Sequence, residues 1–387
     1  MVAVGFSSIF PFLPFYVSEL GTNTSLSIEF LSGLVYSSQA FTMMISAPIW
    51  GTLADRMGRK LMVERAMFGG AILLLLMAFA RSAEHVVILR AIQGLVTGTV
   101  AAANALVAGE APRKQTGYAM GLLQVGFGSG LAIGPLVGGA VADAFGYSEA
   151  FYVTSGMLFL AGVLVFFGVH ENFQPPEKIP GTRFGFKSRW SAIISTRGVP
   201  VTFGMRFLSS LARMMVIPII PLFIEILMDD PERLNTFTGL MMGTASAATT
   251  LSAVYFGKLG DRIGHRSVLI VCSLTAAFLY LPQALVSAAW QLMVFQVLVG
   301  IVVGGIIPTV SALLAGYSHH GEEGAVYGLD NSINAAGRAI APLLGAWVAT
   351  LFGLRATFTA TFIIFLTSVL LAVWFLPKII VDTQVDQ

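Results

Sequence analysis

The 387-residue chain contains one cysteine, five histidines and few charges. Cys272 alone allows no intrachain disulfide and no cysteine metal cluster. His85, His170, His265, His319 and His320 show no HxxxH spacing, and His319–His320 reads as solvated loop, so no metal site is expected. Lys, Arg, Asp and Glu make up 11% of the residues, against about 25% in an ordinary soluble domain. So few charges cannot cover a soluble protein of this length. That excludes a soluble enzyme and a nucleic-acid-binding domain. The net charge of +2 is too small to point to a polyanionic partner. HExxH and Walker Gly-x4-Gly-Lys motifs are missing, as is any Asp/Glu/His cluster suited to chemistry. Gly126-x-Gly128-x-Gly130 lies inside an apolar run and is no nucleotide loop. The chain therefore reads as a non-enzyme without a cofactor, and not as an ATP-driven pump.

What is present is apolar sequence, 56% of the chain. It falls into twelve segments: 1–20, 28–53, 62–80, 86–108, 117–141, 150–170, 199–228, 236–257, 267–286, 289–315, 324–350 and 355–377. About 20 apolar residues span a bilayer as a helix. Continuous rather than alternating runs exclude a β-barrel. The expected fold is an all-α integral membrane protein of twelve transmembrane helices. The one long polar connection, 171–198, carries Pro175, Pro176 and Pro180 with five basic residues, and reads as a linker between six-helix bundles at 1–170 and 199–377. A tail follows at 378–387.

The basic residues set the orientation. With the N-terminus inside, fifteen lie on the inner side: Arg56, Arg59, Lys60, Arg65, Arg113, Lys114, Lys178, Arg183, Lys187, Arg189, Arg197, Lys258, Arg262, Arg266 and Lys378. Three lie outside: Arg81, Arg233 and Arg355. Positive charge stays cytoplasmic, so both termini are expected in the cytoplasm and the protein in the cytoplasmic (cell inner) membrane.

The two bundles repeat each other at an offset of 206–207 residues. Pro11 and Pro14 match Pro218 and Pro221. Gly51, Asp55, Arg56, Gly58 and Lys60 match Gly257, Asp261, Arg262, Gly264 and Arg266. Gly94 and Gly98 match Gly300 and Gly304, while Gly121, Gly130, Pro135 and Gly138 match Gly328, Gly337, Pro342 and Gly345. Six helices per copy is an even number, so the copies are parallel and pseudo-symmetric. Parallel repeats in transporters place the substrate between the halves, near the midplane.

Three motifs stand out. The loop Gly51-Thr-Leu-Ala-Asp55-Arg56-Met-Gly58-Arg59-Lys60 combines turn glycines with an acid among bases. Segment five reads Gly121-x8-Gly130-x3-Gly134-Pro135-x2-Gly138-Gly139. Its Gly126, Gly130, Gly134 and Gly138 recur every four residues and form one smooth face, fit for tight packing or for a rocking seam against Gly239, Gly243 and Ala247 of segment eight. Segment four carries Arg90-x2-Gln93-Gly94.

On these motifs the chain resembles the major facilitator superfamily, and within it the twelve-helix drug:proton antiporters. PFLPFYV and LADRMGRK resemble the MdtG-type multidrug exporters. The resemblance implies a secondary active exporter of small amphipathic compounds, driven by the proton gradient with alternating access. It implies that Asp55, with Arg56 and Arg59, locks the cytoplasmic side, that Arg90 couples protons, and that Gly134 and Pro135 shape a hinge or seal. The positive end of the segment-eleven helix near Gly324 offers Asp55 a physical partner. Glu110 is the natural partner of Arg59. The family alternative is a carrier for a specific metabolite such as a sugar or an organic anion. A channel and a membrane enzyme are disfavoured by the repeat and by the missing motifs.

Charges inside membrane segments are costly and mark function. Arg213 lies about 14 residues into segment seven, roughly 21 Å along the helix at about 1.5 Å per residue, which is deep. Arg206 is nearer the inner edge, where snorkelling is open to it. Segment eleven places Asp330, Asn334 and Arg338 on one face with Asn331 beside it, either lining the cavity or forming a structural Asp330–Arg338 pair bridged by Asn334. Gln93, Gln124 and Gln296 complete the cavity candidates. Many cation-exporting relatives carry a carboxylate within segment one, and this chain has none there before Glu19, at the outer end. Four buried arginines against one acid predict neutral, zwitterionic or anionic substrates. Asp330 and Arg90 are the proton-coupling candidates. A monomer in the bilayer is expected. Segment one is short by the repeat, so it reads as a helix missing its first turns.

Overall fold

The computed structural model describes residues 1–98, 103, 106–107, 116–171, 198–228, 233–317 and 323–377. The linker from 172 to 197, Glu110, His319–His320 and the tail from 378 lie outside them. The described residues form fifteen α-helices and no strand. The first half holds α1 (Val2–Ser7), α2 (Leu13–Leu20), α3 (Ile28–Met57), α4 (Arg59–Met77), α5 (Ala83–Val96), α6 (Thr116–Phe145) and α7 (Tyr147–Gly168). The second holds α8 (Val199–Val216), α9 (Ile219–Leu227), α10 (Leu234–Ile263), α11 (His265–Gln283), α12 (Ala289–Val303), α13 (Ile306–Tyr317), α14 (Glu323–Phe352) and α15 (Leu354–Phe375). Helix occupies every one of the twelve apolar segments. Seven helical runs are long and apolar enough to cross a membrane by length and composition.

Three segments are broken, each for a local reason. Pro11 and Pro14 separate α1 from α2, and Pro218 stands at the start of α9. Gly304 and Gly305 part α12 from α13. Between α3 and α4 a single residue, Gly58, turns the chain at φ 98°, and its repeat mate Gly264 does the same at φ 92°. A side chain at these angles is strained, so the loop motif requires glycine there.

Each half has its own core. Ile9, Phe12, Leu13, Leu31, Leu74 and Phe151 are buried in the first, and Phe223, Leu269, Leu292, Phe358 and Phe365 in the second. Tyr147 packs against both. Large apolar side chains such as Ile72, Phe79, Leu251, Leu285, Trp290 and Trp374 are more than half exposed. This is the surface a membrane protein turns to lipid, where no water penalises it.

Candidate functional site

The halves meet chiefly through two helix pairs, α6 with α10 and α3 with α14, with a smaller contact between α2 and α9. Both seams are tight on the face opposite Gly58 and Gly264. A Cβ on Gly33 would lie 2.6 Å from the Pro342 carbonyl oxygen and 2.7 Å from the Ala346 Cβ. Along the other seam, Gly139 abuts the Asn235 backbone, Gly239 abuts Pro135, Gly243 abuts Ala132, and Gly128 abuts Thr250. Toward the Gly58 face, Gly121, Gly126 and Gly257 have open space beside them. Along α6 and α10 the backbones touch at one end of the seam and have open space beside them at the other.

This geometry corrects the expected glycine seam. Gly130, Gly134 and Gly138 do not face α10: they seat α1, against Ala3, Val4, Ser7 and Ser8 of the same half. The Ser7 hydroxyl also donates to the Gly130 carbonyl at 3.1 Å. The seam with α10 uses Gly128, Ala132, Pro135 and Gly139, a stripe on another side of the helix. At 3.6 residues per turn the two stripes interleave in sequence and diverge in space.

Between the halves lies a crevice of about 40 Å³, lined by Phe6 and Phe10 (α1 and the break after it), Tyr36, Gln39, Ala40 and Met43 (α3), Met214 and Ile217 (α8 and its end), and Arg338 and Pro342 (α14). It has room for a few waters, far less than the roughly 300 Å³ of a small-molecule pocket. Its walls are apolar and aromatic apart from Gln39 and Arg338, and no carboxylate lines it among the described residues.

The other intramembrane charges do not line this crevice. Arg206 on α8 donates to the Asp330 carboxylate on α14 at 2.9 Å, with side-chain exposures of 13% and 6%. Asp330 therefore pairs across to α8, and the Asp330–Arg338 pair does not form. The reason is geometric: α8 and α14 are packed neighbours, while Arg338 sits two turns further along and faces the crevice. The buried pair also shows that Arg206 is no snorkelling anchor. Arg213 lies in electrostatic range of Arg206, Arg338 and Tyr280. Its Nε donates to the Ser209 carbonyl at 3.4 Å, and it does not line the crevice. Arg90 is fully buried, with Nη1 donating to Gln93 Oε1 at 2.9 Å and its guanidinium 5.8 Å from the Tyr36 ring centroid. Its Nε and Nη2 have no hydrogen-bond partner among the described residues.

Several cavity candidates lie elsewhere. Gln93 is spent on Arg90. Gln296 donates to Gln283 at 3.0 Å inside the second half. Gln124 and Asn331 are exposed, and Asn334 is half-buried, its carbonyl accepting from Ser210 at 3.1 Å. The side chains of Gly51, Asp55 and Arg56 lie outside those described. Around them, Glu171 accepts from the Arg59 and Lys60 amides at 2.9 and 2.8 Å, capping the N-terminus of α4. Lys60 donates to the Phe166 carbonyl near the end of α7, 2.8 Å away. Its repeat mate Arg266 binds the Leu376 and Val373 carbonyls, at 3.0 and 3.1 Å, at the end of α15. Asp261 meets His265 at 3.2 Å, and Arg262 is exposed. The last basic residue of each loop motif thus holds its half's final helix by the C-terminus, where cations are favoured. Sequence reasoning missed Glu171, Tyr36, Gln39 and Asp143, because nothing along one chain signals a lateral neighbour. Tyr36 and Gln39 do share the α3 face of Ser32 and Met43.

The sequence profile of the Major Facilitator Superfamily matches residues 1–205 and again 202–384, one match per half. The chain is 36% identical over 361 residues to the multidrug resistance protein MdtG of Salmonella dublin, covering 93% of this chain and 89% of that one. The Salmonella typhimurium counterpart is 35% identical with the same coverage. Among solved structures, a bacterial homologue of the human lysosomal transporter Spinster, inward-facing and unoccupied, aligns with a TM-score of 0.80 at 14% identity, over 97% of this chain and 95% of that one. The human organic anion transporter MFSD10 aligns at 0.65 with 20% identity, over 96% of each chain. At these identities the structural likeness establishes the fold.

Proposed function

The chain belongs to the Major Facilitator Superfamily, and from that premise we propose that this membrane transporter exports small amphipathic compounds, neutral or anionic, by proton antiport with alternating access. The observation that carries the substrate class is Arg338. Among the described residues it is the one charge on a crevice between the halves that is apolar and aromatic apart from Gln39, with no carboxylate beside it. A cation there attracts an anionic group on an amphipathic molecule and repels a cationic one, strongly so at low dielectric. The MdtG relatives support multidrug export. A carrier for one organic anion is the second reading. The same arginine favours it, and MFSD10, which shares the fold, is an organic anion transporter.

In this reading the Gly58 face is cytoplasmic, as are both termini, and 1–170 and 199–377 are the two moving bundles of a monomer joined by the 171–198 linker. The tight seams then close the outer side and the crevice opens inward. Asp330 carries the proton: protonation dissolves its pair with Arg206 and loosens α8 from α14. Arg90, buried with no carboxylate partner among the described residues, is the second coupling group.

The test is transport into proteoliposomes under an imposed pH gradient, with anionic, neutral and cationic dyes compared. Anionic and neutral dyes move, and Arg338→Gln slows the anionic ones by about tenfold, the effect of about 1.4 kcal/mol, while sparing the neutral ones. Efficient extrusion of monovalent cations by the parent protein would overturn the substrate class.

A further inference from the structure

Helix α10 begins at Leu234 without a cap of its own. Arg233 occupies the N-cap position and supplies no side-chain hydrogen bond. The first amides of a helix need an acceptor. Here the acceptor comes from the other half of the molecule. Asp143, near the end of α6, accepts from the Asn235 amide at 3.2 Å and from Asn235 Nδ2 at 2.7 Å through one carboxylate oxygen, and from the Thr236 amide at 2.6 Å through the other. Four residues earlier, Gly139 lets the α6 backbone lie against Asn235. A carboxylate at a helix N-terminus gains both charge-assisted hydrogen bonds and the helix dipole.

The pseudo-symmetric position reinforces this. Thr350, offset by 207 residues from Asp143, lies at the matching place on α14. It bonds to the Ser27 hydroxyl at 3.1 Å, and Ser27 is the N-cap of α3, whose side chain accepts from the Phe30 amide. On one face of the molecule, then, the end of a helix in each half reaches the N-terminus of a helix in the other. One contact is a carboxylate accepting three bonds. The other is a single bond between hydroxyls.

We propose that Asp143 is the positioning residue that holds the outer gate shut while the crevice faces the cytoplasm. The halves cannot part on this face until its three bonds to α10 are broken. The contact with Thr350 is the weaker partner of the same latch. The proposal rests on the alternating-access reading, and its test reads gate closure separately from transport.

Ser27 and Thr350 are changed to cysteine in a Cys272→Ser background, which removes the one native thiol and the weaker contact, leaving the closure to Asp143. The rate of oxidative crosslinking then reports how often the outer seam is closed. Asp143→Ala lowers that rate about tenfold and Asp143→Asn about threefold, since neutral hydrogen bonds are roughly half as strong as charged ones. Asp143→Glu restores most of it, which a mere packing role would not produce. Asn235→Ala, which keeps both amide bonds, has a small effect. If Asp143→Ala does not insert, Asp143→Asn carries the comparison. Crosslinking at the parental rate in Asp143→Asn overturns the latch. Undiminished transport by the fully crosslinked parent instead overturns alternating access itself.

Discussion

Changing Asp330 to asparagine separates stability from coupling. The Arg206–Asp330 pair is nearly buried, at 13% and 6% side-chain exposure, and its two members come from different helices, α8 and α14. Removing one member of such a pair costs about 3–5 kcal/mol, because the other charge stays desolvated, while replacing both with apolar residues is close to neutral. Asparagine keeps one acceptor oxygen for Arg206, so the expected loss for Asp330→Asn lies nearer ~2–3 kcal/mol. Thermal unfolding in detergent should therefore rank Asp330→Asn below the parent and the double variant Arg206→Met, Asp330→Leu between them. Transport is read in two modes. Uphill accumulation driven by a pH gradient falls at least about tenfold in Asp330→Asn, a barrier change of about 1.4 kcal/mol. Exchange of labelled for unlabelled substrate, which needs no proton, survives. The double variant regains stability and not coupling. Parental accumulation by Asp330→Asn would remove Asp330 as the proton carrier. Strictly additive destabilisation in the double variant would show that the pair has no energetic coupling at all.

Three further outcomes follow from local geometry. Gly139→Ala places a methyl on the Asn235 backbone and forces the outer seam apart, so outer-seam crosslinking drops, whereas Gly121→Ala, with open space around it, leaves it unchanged; equal behaviour would contradict the seam. Arg266→Ala removes the bonds to Leu376 and Val373 and costs about 0.5–1 kcal/mol, seen as a small fall in melting temperature that lysine partly restores. Glu84 accepts from the Thr22 hydroxyl at 2.7 Å and the Asn23 amide at 3.0 Å, and hydrogen bonds from Thr22 first, then Ser82 and its own amide, with the Asn23 amide adding least, hold its carboxyl down at about 2. A depressed carboxylate stabilises the fold above its unfolded value near 4.5 and loses that contribution as pH falls toward 2. Pepsin cleavage of the loop at 21–27, normalised to a free peptide, should rise between about pH 4 and pH 2, and an unchanged rate would exclude the effect.

Much of this architecture is legible in the chain itself. Apolar runs of bilayer length and an offset of 206–207 residues are properties of one sequence, and so are the turn glycines at 58 and 264. Arg90 stands out too, because a buried arginine is costly wherever it is found. What stays hidden is which neighbour each face meets. Gly130, Gly134 and Gly138 form an obvious stripe, yet the stripe that touches α10 is Gly128, Ala132, Pro135 and Gly139. Periodicity marks a smooth face without naming its partner. Asp330 and Arg338 share a face of α14 by their spacing, but a lateral partner, Arg206, lies closer. Gln93 and Gln296 resemble cavity residues by their place in mid-helix, and each instead satisfies another buried polar group.

The way charges are spent separates structure from function here. At the membrane edges each sign goes to the helix end that suits it. Glu171 caps the N-terminus of α4 and Asp143 that of α10. Lys60, Arg266 and Arg355 bind carbonyls at the ends of α7, α15 and α11. These groups satisfy backbone that lipid cannot, which is reason enough to keep them. Asp143 differs from the rest because the helix it caps belongs to the other half. Under the proposed alternating access its bonds would have to break whenever the halves separate on that face, whereas the other caps lie within one half. Arg90 and Arg338 make no such bond to backbone among the described residues. Arg90 keeps two nitrogens without partners among the described residues and Arg338 faces the crevice, and it is such costly placements that mark these two, rather than the edge charges, as candidates for function.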